Sequence, residues 1–126
     1  METVHEIRDE LRGSAKSLRE EIPEVLAAYA RLATASLSDG ELPSITKEFA
    51  ALAIAITKEC DGCIVAHVRN LRRLGATRHQ VAELIGVTIL MNGGPGTVWG
   101  PRALAAFDQV VAAASESAAD AGGPKK

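Results

Sequence analysis

Val4, Ile7, Leu11, Ala15, Leu18 and Ile22 recur every three or four residues with charged side chains between them. That spacing describes one face of an α-helix. Pro23 interrupts the segment, and a second helix is predicted from there to about Leu37. The Asp-Gly and Pro of SDGELP, residues 38–43, mark a loop. Ser44 is the expected N-cap of a third helix, about 45–58, whose run FAALAIAI is apolar on every side and so predicts a helix surrounded by others. A fourth helix begins at Cys60 and runs to Leu74, where Gly75 supplies a left-handed stop. Thr77 and Gln80 form a capping box for a fifth, about 78–92. GGPG, residues 93–96, breaks the chain. A last helix is predicted to start between Thr97 and Pro101 and to fade near Ala114. No stretch alternates as a strand does. The pattern predicts an all-α bundle of about six helices in one domain, 1–114, with a small, polar, disordered tail at 115–126.

Composition narrows the function. At 126 residues the chain fits one domain and is too short for two, and its 47% hydrophobic content is largely Ala, Leu, Ile and Val. A net charge of −2 gives no reason to expect a nucleic-acid or anionic-membrane partner. No window approaches about 18 uninterrupted apolar residues, and METVHEIRDELRG lacks the apolar middle of a signal peptide. A cytoplasmic protein is expected. In a reducing compartment a close cysteine pair is catalytic or metal-binding more often than a permanent staple.

That pair is the only one in the chain. In KECDGCIVAH, residues 58–67, Cys60 and Cys63 are followed by His67. On a helix the three fall within an arc of about 60°, continued by Leu71 and Leu74, with Arg69, Arg72 and Arg73 elsewhere. The stripe is therefore expected to face the interior or a pocket. The nucleophile in cysteine chemistry is the thiolate, favoured by helix N-terminal amides and a nearby histidine. Two cysteines two residues apart can also close a disulfide within one turn. Such a pair can reduce a peroxide: one sulfur is oxidised, the second resolves it as a disulfide, and an external reductant resets both. Zinc binding and inert core cysteines are the competing readings. His5 and His79 lie far off in solvated contexts, so no second ligand pair for zinc is evident. Glu48, at the opening of the third helix, is either a proton relay or an acid complementing the helix dipole. Glu59 beside Cys60 disfavours a thiolate and reads as a solvated helix-end acid.

Taken together, Glu48, eleven residues, Cys60-Asp61-Gly62-Cys63, three residues and His67, continuing through LRRLGATRHQVAELIGVTILMNGGPGTVWG, resemble the carboxymuconolactone decarboxylase family and its AhpD-like alkylhydroperoxidase branch. The resemblance covers about 44–112. It implies an all-helical homotrimer or homohexamer with peroxidase activity, with Cys63 peroxidatic, Cys60 resolving, and His67 and Glu48 as a proton relay. It also implies a hydroperoxide substrate, a lipoyl-protein or thioredoxin-type dithiol reductant, and no cofactor or metal. The physical reading of CxxC pairs, by contrast, makes Cys60 the more exposed sulfur and the target of the reductant. Branch members can carry a histidine just before the second cysteine, where this chain has Gly62, so a general disulfide reductase is one alternative, beside a carboxymuconolactone decarboxylase-like enzyme and a zinc-binding module. The decarboxylase branch generally lacks the cysteine pair. Two roles remain open: GGPG and Trp99 either line a pocket near the cysteines or form a turn with an aromatic packed beside it, and the first helix is either an assembly arm or part of the core.

Overall fold

Among residues 2–121, which the computed structural model describes, the chain forms six helices and no strand: α1 (Val4–Glu21), α2 (Pro23–Leu37), α3 (Ser44–Thr57), α4 (Asp61–Arg73), α5 (Arg78–Asn92) and α6 (Gly94–Ala121). None of them is long and apolar enough to cross a membrane. The core forms where α3, α4, α5 and α6 meet. Leu52 and Ile56 of α3, Ile64, Val68 and Leu71 of α4, Val81 and Ile85 of α5, and Ala103, Ala106 and Phe107 of α6 are buried together. Each large aliphatic side chain buried this way contributes about 1.5–3 kcal/mol.

α5 and α6 approach closely because α6 turns glycines toward its neighbour. A Cβ at Gly96 would lie 2.9 Å from the Ile89 Cα, and one at Gly100 would lie 2.6 Å from Ile85 Cγ2. Gly93, with φ 65°, caps α5, and α6 starts immediately at Gly94. The predicted start after Thr97 is therefore too late: Pro95 sits in the first turn, where its missing N–H costs no bond. Pro101 lies inside the helix. At its other end α6 continues to Ala121, past the predicted fade at Ala114, because the alanines of SESAADA favour a helix. The rest of the predicted tail, 122–126, lies outside the described residues.

α1 joins the core only at its start. Val4 and Ile7 are buried, and the Val4 N–H donates to the Gln109 carboxamide at 2.8 Å. Leu11, Leu18 and Ile22, on the same predicted stripe, are exposed, and α2 buries no residue at all. Ser44 is not a cap. It is the first residue of α3, its hydroxyl donates to the Leu37 carbonyl at 2.6 Å, and Pro43 occupies the N-cap position without a side-chain bond. Nor is α3 fully enclosed, since Ile54 is largely exposed.

Candidate functional site

The site is built where α3 ends and α4 begins. Lys58 is the C-cap of α3, and Glu59 follows in the left-handed region at φ 53°. The Glu59 N–H donates to the Ile56 carbonyl at 3.0 Å and the Cys60 N–H to the Ala55 carbonyl at 3.1 Å. These paired bonds are a Schellman closure. The residue that completes it, Cys60, is at once the N-cap of α4, and its Sγ accepts from the Cys63 N–H at 3.2 Å. No slack separates the helices. Cys60 and Cys63 are joined in a disulfide, with their Cα atoms 5.2 Å apart.

Four residues on, His67 connects this turn to α3. Its Nδ1 lies 2.6 Å from Glu48 Oε2, while Asn70 Nδ2 donates to Glu48 Oε1 at 2.9 Å. Glu48 is only 2% exposed. An unpartnered buried carboxylate would be costly, so both of its oxygens being engaged is what makes the position tenable. Such burial and bonding go well beyond an acid that merely complements a helix dipole. Asn70 was not among the residues singled out by sequence. Its spacing from His67, three residues along the same helix, is the signal that it shares that face.

His67 also faces outward. With Cys60, Cys63, Lys58, Ala51, Ile54 and Ala55 it lines a cavity of ≈ 440 Å³. The predicted cysteine–histidine stripe thus borders a pocket, as one of its two expectations held, although Leu74 at its far end is exposed. Neither GGPG nor Trp99 belongs to this pocket. Gly93 and Gly96 serve the turn and the close α5–α6 packing, and Trp99 packs against the core beneath Arg102, whose guanidinium carbon is 4.7 Å from the ring centroid. The expected order of exposure is reversed as well. Cys63 is exposed and Cys60 is half-buried, held by the Schellman closure.

Gly62 faces α1: a Cβ there would come within 2.6 Å of Leu11 Cδ1, the end of a flexible, partly exposed side chain that would have to shift to admit it. Among the described residues no three His, Cys, Asp or Glu side chains group as a metal site. His5 pairs with Asp9 and His79 with Glu83 along their own exposed helix faces, away from the cysteines.

A sequence model of the carboxymuconolactone decarboxylase family matches residues 23–109. The chain is 41% identical over 86 residues to an uncharacterized protein of Cupriavidus necator, an alignment spanning 68% of this chain and 76% of that one. It is 36% identical over 83 residues to uncharacterized protein 4 in the cox locus of Paracoccus denitrificans, spanning 66% and 75% of the two chains. The crystal structure of an apo carboxymuconolactone decarboxylase family protein from Legionella pneumophila superposes with a TM-score of 0.81 at 36% identity, covering 85% of this chain and 96% of that one.

Proposed function

The chain belongs to the carboxymuconolactone decarboxylase family, and from that premise we propose that it is a thiol-dependent peroxidase of the AhpD-like branch, acting on organic hydroperoxides. One observation carries the reading. His67 lines the same pocket as both cysteines while its Nδ1 is held by a buried carboxylate. This arrangement fixes the ring and leaves its second nitrogen available for proton exchange in the pocket.

Cys60 is the N-cap of α4 and Cys63 lies in its first turn, where the amides favour an anionic sulfur once the pair is reduced. The Cys63 thiolate attacks the outer oxygen of the hydroperoxide. An S–O bond forms, the O–O bond breaks, and the leaving alkoxide takes a proton from the His67–Glu48 pair and departs as alcohol. Cys60 then attacks the Cys63 sulfenic acid; an S–S bond forms and water leaves. A dithiol reductant returns both cysteines to thiols by exchange and is itself oxidised to a disulfide. The exposure of Cys63 supports its peroxidatic role, and the apolar wall of Ala51, Ile54 and Ala55 supports an organic rather than a fully polar peroxide.

A second reading, general disulfide reduction, is favoured by Gly62, since the relay lacks a third member there. Trapping separates the two. Reduced Cys60→Ser protein given one equivalent of an alkyl hydroperoxide should accumulate a dimedone-reactive sulfenic acid on Cys63. If Cys63 stays unmodified while the protein still reduces small disulfides, the reductase reading takes over.

A further inference from the structure

A second cavity, of ≈ 340 Å³, opens on the face of α4 away from the cysteines, between α1 and α6. Four arginines line it: Arg8 of α1, and Arg69, Arg72 and Arg73 of α4. In a chain whose net charge is −2, this concentration of one sign is local rather than compositional. Among the described residues, none of the four lies within ion-pair distance of a carboxylate. Arg72 and Arg73 complement the C-terminal end of the α4 dipole, which does not account for Arg8 or Arg69. Partial burial, followed by the charges of Arg8, Arg12 and Arg73, disfavours the charged form of Arg69. Arg8 and Arg73 therefore repel Arg69 in the free protein. Covering apolar surface would account for their stems but not for four arginines lining one recess. The facing wall, Val110 and Ala113, is apolar.

We propose that this cavity binds a small phosphorylated anion carrying at least two negative charges, a diphosphate or an organic phosphate. Guanidinium groups pair with phosphate oxygens through parallel N–H donors, and several converging forks match a multiply charged group better than a single carboxylate. The recess suits a small ligand rather than a flat surface, and the apolar wall receives the uncharged part of an organic phosphate. Asn70 lines the cavity while its amide holds Glu48. Glu48 in turn bonds His67, which lines the cysteine pocket.

The test is titration of the full chain with inorganic pyrophosphate at constant ionic strength, followed by calorimetry and thermal unfolding. Wild type should bind at one site per chain, with Tm rising by about 5–10 °C at a hundredfold excess over Kd. Arg69→Gln and Arg73→Gln should each weaken binding by about tenfold or more. Without ligand, Arg69→Gln should melt no lower than wild type, because it relieves repulsion. This second readout shows that lost binding is not lost folding. Absence of saturable binding, or equal affinity in wild type and both variants, overturns the proposal. Co-sedimentation with phosphatidic acid vesicles in the absence of a pyrophosphate response also overturns it, by assigning the arginines to a membrane surface.

Discussion

Glu48 is a carboxylate held away from water with both oxygens occupied, one by His67 and the other by Asn70. Removing its charge while keeping its shape isolates the relay from the packing. Glu48→Gln should leave the helical circular dichroism unchanged and lower kcat/KM for an alkyl hydroperoxide by about 10²-fold or more, the range of a lost acid–base partner. Gly62 gives a second residue-level expectation. Gly62→His should lower Tm only modestly, because the Leu11 Cδ1 that meets the added side chain is the end of a flexible, partly exposed residue that can shift. Combining it with Leu11→Ala should recover part of the lost Tm, because the double variant opens that space. Cys60, Cys63 and His67 were legible as a set because helical spacing alone groups them. Glu48 stood out only through the family pattern, since a single acid near a helix start looks like a dipole partner. The reversed exposure of the cysteines was not legible, because it depends on how α3 terminates.

That termination belongs to the scale of the element. α3 and α4 both close with a Schellman pair of bonds, at Glu59 and at Gly75. Gly75 announces itself because glycine adopts φ > 0 without strain. Glu59 does not: a glutamate held there stores about 1 kcal/mol, maintained by the packing on either side. Thr77 and Gln80 announced α5 through side chains that bond both ways. The start of α6 was hidden, because glycines and a proline look like a break when the glycines are in fact the packing face. α5 and α6 are also tied by Arg78, which donates to both Asp108 oxygens at 2.8 and 3.1 Å. The hydrogen bond from Arg78, and then its charge, hold the Asp108 carboxyl below its usual range. A group depressed in the folded state stabilises above its unfolded pKa, about 3.9, and loses that contribution as pH falls through the folded value. Both side chains are substantially exposed, so the effect is small and salt-sensitive. Asp108→Asn should lower Tm slightly at pH 7, and the difference should shrink as pH falls through the depressed folded value of the carboxyl.

Across the whole molecule, the all-α architecture was legible because long segments kept one periodicity, whereas the partner of each face was not. The apolar stripe of α1 runs on past the core, and Val25, Tyr29 and Leu32 of α2 stand 60%, 70% and 61% exposed. Leu90 and Met91 at the end of α5 are more exposed still. Apolar side chains left exposed along α1, α2 and the end of α5 suit burial against further copies, in keeping with the homotrimer or homohexamer that the resemblance implies. Light scattering should give the mass of at least three chains, and Leu32→Glu should reduce it; a monomeric wild type would remove that part of the account. The central claim, that the Cys60–Cys63 pair and the His67–Glu48 pair form one peroxide-reducing site, is tested most directly by steady-state consumption of an alkyl hydroperoxide with a dihydrolipoyl reductant. The account predicts turnover by wild type, none above background by Cys63→Ser, and a loss of about 10²-fold or more in His67→Gln. Consumption by Cys63→Ser at the wild-type rate would contradict it.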